Sequence, residues 1–399
     1  MDLDNDARTI GRRLYQIRKA QDKSLRVVAG LSGVVSASTL SRIENGLRAL
    51  DSRAEIVALA DVLQIAPSEL TRLPETAPAD GEKTAVKAVR RALIAVSRDD
   101  PAGQVVPVDV LRDRVKALVA AQRQCEHEQV GCELPALIRD LHTTIAVGRE
   151  VGGLLGVAVV LHVQGSHAFL HDAGAHPDLC WQAAVLARQT AREHGGSDLI
   201  SLAAFGAANG LLAAGEFDTA QAELDSVTVP TTTDAAEQLE GMLALSRSLV
   251  AAADKRPGDV DAPLEHAAEL AARTGEGNAY GLDFGPTNIG VWRMSVALEA
   301  HNYTQTARVA EGLRPELLPA ATRRAAYWAD YGRALARLRG RQDDAVRALR
   351  KAELISPARV QRHPFVREVL AELLQRSRPM TMASRRELRG MAYRAGLPV

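Results

Sequence analysis

The stretch Leu40-Ser41-Arg42-Ile43-Glu44-Asn45-Gly46 decides how the beginning of this chain folds. Leu40 and Ile43 are three residues apart, which places them on one face of a helix. Asn45-Gly46 is a typical helix-ending pair, and Ser36 is a good N-cap. We therefore expect a short helix over Ala37–Glu44.

Four more short helices are expected around this one. Apolar residues at helical spacing indicate a helix from Ala7 to Gln21, and another begins after the Ser24 cap. Downstream, one helix runs on from Ser52 and the last begins at Pro67. Five helices in residues 1–73 make one small domain.

Composition changes after this domain. Residues 74–82 are rich in proline and small residues, which is typical of a linker. Residues 83–399 are rich in alanine, leucine and arginine, which are good helix formers, and show almost no alternating β-branched residues. The fold class is expected to be all-α.

Part of the second domain resembles a tetratricopeptide (TPR) repeat. Tyr327–Ala336 is followed by Ala345, Leu349, Ala352 and Pro357 at the family's small, large, small and proline positions. Small residues let paired helices approach closely, and each pair needs a neighbour to cover its apolar face. The resemblance implies a TPR-like α-solenoid.

The first domain resembles the phage-repressor-like, or XRE, helix-turn-helix family. The resemblance rests on Leu25–Ala29, Gly33-Val34, Leu40–Gly46 and Ile56–Ile65, in that order. It implies a five-helix, lambda-repressor-like domain that binds double-stranded DNA. The chain has one residue more than the usual pattern just before Ser36.

In such a domain the first turns of the third helix read base edges in the major groove. Counted back from Asn45-Gly46, the family's base-reading positions are Ala37, Ser38 and Arg42. Arg42 is the strongest candidate, because its guanidinium can bond guanine O6 and N7 together. The expected phosphate contacts, which position the domain without reading sequence, are Ser36, Thr39, Asn45 and Arg48.

A further pair is implied by the same resemblance. Arg18 on the first helix occupies the place of an arginine that pairs with the glutamate at position 44. A pair between Arg18 and Glu44 would lock the first helix to the third.

Charge is unevenly spread along a chain whose formal net charge is zero. Residues 1–73 carry 11 basic and 9 acidic residues (+2), residues 74–332 carry 22 and 34 (−12), and residues 333–399 carry 16 and 6 (+10). Because +2 is low for DNA binding, we expect a homodimer on a pseudo-palindromic operator. The basic C-terminal region either forms solvated helix faces or contacts DNA phosphate or a partner subunit.

The second domain has several possible roles. It can serve for dimerisation, for sensing a peptide or small-molecule effector, or as a scaffold that recruits another protein. Tyr280–Asn288 resembles a recurrent segment of actinobacterial regulators with these two domains. The expected ligand groove contains an amide, a cation and aromatic walls, although the aromatic residues are also plausible core residues: Phe205, Asn209, Arg247 and Trp292.

Other functional classes have weaker support. Motifs for nucleotide hydrolysis, zinc peptidases and serine hydrolases are absent, so we expect no enzyme and no cofactor. His167 and His171 could share a helix face, but no metal motif surrounds them, and no metal is expected. The most apolar stretch, Gly152–Val163, is too short to span a bilayer, and three scattered cysteines indicate a reducing, cytoplasmic setting.

Overall fold

The computed structural model describes residues 7–73, 80–148, 150–376 and 379–399. Within these ranges every regular element is a helix, which confirms the all-α prediction. The N-terminal domain consists of α1 (Ile10–Ala20), α2 (Leu25–Ser32), α3 (Ala37–Glu44), α4 (Arg53–Leu63) and α5 (Pro67–Thr71).

Side-chain caps set where these helices begin. Hydroxyl oxygens of Thr9, Ser24, Ser36 and Ser52 each accept a hydrogen bond from a backbone N–H in the first turn of the following helix. Gly33 ends α2 in the left-handed conformation, with φ 64°, which glycine adopts without strain. The local sequence thus fixes the helix boundaries of this domain.

A helical repeat-like region follows the N-terminal domain, as predicted. Its helices are α6 (Asp80–Ser97), α7 (Val108–Arg123), α8 (His127–Ala146), α9 (Val151–Val160), α10 (Ala168–Asp172), α11 (Pro177–His194), α12 (Ser197–Ala214), α13 (Phe217–Asp225), α14 (Asp234–Ala253), α15 (Asp261–Thr274), α16 (Pro286–Glu299), α17 (Tyr303–Glu311), α18 (Ala321–Arg337), α19 (Gln342–Ile355), α20 (Pro357–Gln361), α21 (Pro364–Gln375) and α22 (Met382–Arg394). Helix α6 begins at Asp80, inside the stretch 74–82 expected as linker; residues 74–79 lie outside the described ranges.

Neighbouring helices of this region pack in pairs, most extensively α18 with α19, α14 with α15, and α11 with α12. The pairing of α18 and α19 depends on a small residue. A Cβ added at Gly332 would lie 2.7 Å from Leu349 Cγ, closer than real contacts allow. The two helices therefore approach as closely as the repeat-like sequence indicated.

One long apolar helix differs from expectation. The helix does not end at Val163, because a π-helical turn, Leu161–His167, joins α9 to α10 and gives 22 continuous residues, Val151–Asp172. By length and composition this helix and α12 could cross a membrane, but 67% and 61% of their apolar windows are buried inside the protein. Their apolar residues are explained by packing in the core of the helical repeat region.

The N-terminal domain is docked onto the C-terminal helices through carboxylates on α21. Glu368 accepts hydrogen bonds from the backbone N–H groups of Ile10 and Leu50, and Glu372 accepts one from Ala49 N at 2.9 Å. Glu368 and Glu372 are only 3% and 2% exposed. These donors have no partner inside their own domain's helices, so the docking satisfies groups that the domain alone leaves unpaired.

Arginines and one aromatic side chain complete the docking surface. Arg337 donates to Asp51 Oδ1 at 2.6 Å, and Arg333 donates to the Asp51 carbonyl at 3.2 Å. Phe365 on α21 is 4% exposed and packs into the apolar core of the N-terminal domain. Part of the basic C-terminal region thus contacts the N-terminal domain of the same chain, a contact not considered from the sequence.

Candidate nucleic-acid interface

Helices α2 and α3 are joined by a tight turn that absorbs the extra residue. Gly33 reverses the chain, and Val35 is only 9% exposed because it packs into the domain core with Leu40 and Ile43. Helix α3 then begins after Ser36 and spans the residues predicted for it. The additional residue therefore contributes to the core without disrupting α3.

The outer face of α3 is open. Ser38 and Arg42, four residues apart on that face, are both exposed, and Ala37 beside them is half-buried. Among the described residues, the Arg42 guanidinium has no hydrogen-bond or ion-pair partner. The docked helical domain leaves this face uncovered, so Arg42 is available to an external acceptor.

Three of the expected phosphate contacts cluster at the two ends of α3. Ser36 Oγ caps the helix by accepting from Thr39 N at 3.1 Å, and lies 2.9 Å from the Thr39 hydroxyl. At the other end, Asn45 is exposed and its amide donates to Ser41 O at 2.8 Å. Their hydroxyl and amide groups remain at the surface, where phosphate oxygens could reach them.

Arg48 is placed differently from the other three. Its side chain is 23% exposed and donates to Glu55 Oε1 at 2.7 Å. Glu55 itself is buried, with an exposed side-chain fraction of 7%. A phosphate would have to compete with this carboxylate, so the geometry favours a structural role for Arg48 over the expected phosphate contact.

Arg18 and Glu44 form a bidentate ion pair. Arg18 Nε and Nη2 donate to the two carboxylate oxygens of Glu44, both at 2.6 Å, and Nη1 donates to Lys23 O at 2.7 Å. Both side chains are almost fully buried. The hydrogen bond to Glu44 is the largest cause of the raised pKa of Arg18, and the paired side chains fix α1 against α3.

Close backbone packing supports the same arrangement. A Cβ added at Gly11 would lie 2.2 Å from Ile43 O, so α1 and α3 touch where only glycine fits. Helix α3 is therefore held in place from behind. Its outward side chains keep a fixed direction, which base recognition requires.

Arg26 is an exposed arginine that was not among the expected DNA contacts. It lies in the first turn of α2, close to the Ser24 cap, and its side chain is exposed. In helix-turn-helix domains the helix before the reading helix crosses the phosphate backbone. Position in the first turn of α2 was the available signal, and it makes Arg26 a further phosphate candidate.

The four residues expected to line a ligand groove do not form one open surface. Phe205 and Trp292 are 8% and 6% exposed and belong to the largest apolar core, which is the alternative that their spacing had left open. Asn209 donates to Phe205 O at 3.0 Å. Arg247 instead joins the end of α13, donating to Leu224 O and pairing with Glu240, both at 2.9 Å.

Burial favours the neutral form of three histidines. His142 Nε2 and His162 Nε2 are 2.8 Å apart. Burial lowers the pKa of His142 to about 4 and that of His162 well below its usual range, while burial also lowers the pKa of His167 to about 4. In the described ranges, no three His, Cys, Asp or Glu side chains group as metal ligands would.

Comparisons with known proteins bear on this geometry. A crystal structure of the PrgX/iCF10 complex is similar at 10% identity and a TM-score of 0.32, covering 88% of this chain and 97% of that one. At that TM-score the similarity carries no argument. No curated protein matches the chain. A family model described as a helix-turn-helix domain matches residues 9–73, and with the α2–turn–α3 geometry this match identifies those residues as a helix-turn-helix domain.

Proposed function

We propose that the protein is a sequence-specific regulator of transcription of the XRE type that binds double-stranded DNA through α3. The observation that carries the proposal is the open face of α3, where Arg42 and Ser38 are exposed while Arg18 and Glu44 hold the helix from behind. Arg42 reads a guanine, Ser38 bonds a neighbouring base, and Ala37 contacts a thymine methyl. Ser36, Thr39, Asn45 and Arg26 contact phosphate.

Docking improves the electrostatics of this face. Within the domain Glu44 pairs with Arg18 and Glu55 with Arg48, so these four charges cancel at short range. Asp51 is further compensated by Arg337 and Arg333 of the helical domain. The formal +2 of residues 1–73 therefore understates the positive potential that DNA meets.

A homodimer remains part of the proposal. Two copies double the number of phosphate contacts and read two half-sites, which gives a pseudo-palindromic operator. The helical domain carries the dimer contacts and senses an effector, with no enzymatic step, in the cytoplasm. Sedimentation of the free protein and of its complex with selected DNA tests this point, and a monomer in both states would contradict it.

Selection of bound duplexes from a random pool tests the reading residues. The wild type is expected to enrich one inverted repeat, and Arg42→Ala is expected to lose about 1 to 3 kcal/mol of preference at one base position in each half-site. Arg308→Ala, an exposed arginine on α17 in the helical domain, is the matched control and leaves the enriched sequence unchanged. Equal affinity and the same site for wild type and Arg42→Ala would refute the assignment.

A further inference from the structure

A cavity of about 1050 Å³ lies where the helix-turn-helix domain meets the helical repeat region. Its N-terminal wall comes from α1, α4 and α5, and its opposite wall from the α10–α11 connection, the end of α12, and α20 to α22. The volume is at the upper end of the range for small-molecule sites. The cavity is thus large enough for a metabolite and is shared by two domains.

Two contacts between the domains frame this space. On one side Gly215, with φ 88°, lies against α4, since a Cβ added there would come within 2.6 Å of Val57 Cγ2. On the other side Phe365 enters the helix-turn-helix core and lies under the Arg53 guanidinium at 5.3 Å. The two domains are in direct contact on both sides of the cavity. The cavity therefore exists only while the domains are docked.

The helix-turn-helix wall is basic. Arg13, Arg53 and Arg72 line it, against one carboxylate, Glu69. Arg13 bonds Glu69 O at 3.2 Å, and Arg53 pairs with Glu299 outside the cavity. Arg72 has no hydrogen-bond or ion-pair partner among the described residues.

The opposite wall is basic as well. Arg359, Arg362, Arg367 and Arg394 line it, against the carboxylate of Asp172, which accepts from Gln122 Nε2 at 2.8 Å. Within the described ranges the Arg359 guanidinium has neither a hydrogen bond nor an ion pair. Seven arginines and two carboxylates line the cavity. Arg53 pairs with Glu299 and Arg394 with Glu353 outside it, so five arginines remain against two carboxylates, and the excess positive charge comes from both domains.

A buried imidazole and a helix N-terminus lie beside the same space. His363 lines the cavity, and its Nδ1 is buried without a hydrogen-bond partner among the described residues. His363 is also the N-cap residue of α21, whose first turn has no side-chain cap. Burial lowers the pKa of His363 well below its usual range, and the positive charges of Arg359, Arg333 and Arg53 lower it further.

We propose that this cavity binds a small organic polyanion, bearing phosphate or carboxylate groups, that bridges Arg72 of the helix-turn-helix domain and Arg359 of the helical domain. Arginine forks match both kinds of anion. Ile56, Val57 and Leu212 supply an apolar wall for the rest of the molecule. Binding pulls together two walls that otherwise repel each other, and so stabilises the docked position of the reading domain.

The role of this anion as the effector rests on the proposed function, but its binding does not. Thermal unfolding of the full chain is followed while tripolyphosphate, ATP or citrate is added at constant ionic strength, with sulfate as the reference anion. We expect at least one probe to give a saturable rise in Tm beyond that of sulfate. A saturable rise in Tm with only the phosphates, or with only citrate, supports the site and shows whether its ligand carries phosphate or carboxylate groups.

Arginine variants locate the binding. Arg359→Gln and Arg72→Gln are each expected to weaken the probe's apparent affinity by about tenfold or more, since each removes a charge-assisted hydrogen bond. Arg308→Gln, an exposed arginine on α17, is the matched control and keeps the wild-type affinity. No saturable rise beyond sulfate, or wild-type affinity in both cavity variants, would overturn the proposal.

The two proposals fail separately. Anion binding is measured without DNA, and operator selection is measured without the anion. Saturable binding that depends on Arg359 supports the cavity even if no operator is enriched. An enriched operator together with an unresponsive cavity would refute the cavity site alone.

Discussion

Replacement of Phe365 by alanine should separate the helix-turn-helix domain from the helical domain without unfolding either. The side chain is 4% exposed and lies in the core of a domain more than 290 residues away in sequence. A buried Phe→Ala change costs about 3 to 5 kcal/mol. The ring also contacts the guanidinium groups of Arg53 and Arg333 at 5.3 and 5.2 Å, and these contacts are lost with it.

That loss shifts the equilibrium between docked and undocked forms by roughly two to three and a half orders of magnitude. Hydrogen exchange can measure the shift at chosen amides. The N–H groups of Ile10, Ala49 and Leu50 bond only to the carboxylates of Glu368 and Glu372, so their protection reports docking itself. In Phe365→Ala we expect their exchange to accelerate by that factor, while amides inside α4 keep their protection.

The control is a phenylalanine of equal burial that does not touch the interface. Phe169 is fully buried in the core formed by α6 to α11. Phe169→Ala should lower the stability of the helical domain by a similar amount. In this variant the exchange rates of the α4 amides and of the docking amides should change by the same factor. If Phe365→Ala speeds the exchange of α4 and the docking amides equally, the domains do not separate and the reasoning is wrong.

Three other outcomes follow from buried charges and thiols. Arg18→Ala leaves Glu44 buried without its ion-pair partner, and should lower the free energy of unfolding by about 3 to 5 kcal/mol in denaturant titrations. Burial raises the pKa of Glu368 from 4.5 to about 7. The free energy of unfolding should therefore fall by about 3 kcal/mol between pH 4.5 and pH 7, because the folded protein favours the protonated carboxyl. Glu368→Gln should flatten this pH dependence. Burial raises the pKa of half-buried Cys125, and that of Cys180 to about 12. A maleimide at pH 8 should therefore modify exposed Cys132 first and far faster than the other two cysteines in peptide mass spectra of the folded protein.

The helix-turn-helix domain follows closely from its sequence because its signals are local. Caps at Ser24, Ser36 and Ser52, the break at Gly33 and the span of α3 depend on residues a few positions apart. Helix formation in the rest of the chain follows in the same way from composition. Local signals give the start and end of a helix, and the exposed face of α3 follows from its period.

Contacts between residues far apart in the sequence do not follow from such local signals. Periodicity indicates that Phe365 and Trp292 are covered, but not by which element, and Phe365 is covered by the other domain. Glu368 and Glu372 resemble ordinary helix-face carboxylates, yet they bond backbone groups more than 300 residues away. The cavity at the junction could not be anticipated either, because its arginines come from both ends of the chain.

The distance along the chain between docking partners has a consequence for synthesis. Ala49 leaves the ribosome 323 residues before Glu372, which is roughly 15 to 65 s at typical rates of chain elongation. Throughout that interval the complete helix-turn-helix domain exists without the carboxylates that later accept the amides of Ile10, Ala49 and Leu50. A nascent chain therefore carries the helix-turn-helix domain on a growing tether, and the direction of α3 relative to the helical domain is set only after Glu372 has been synthesised.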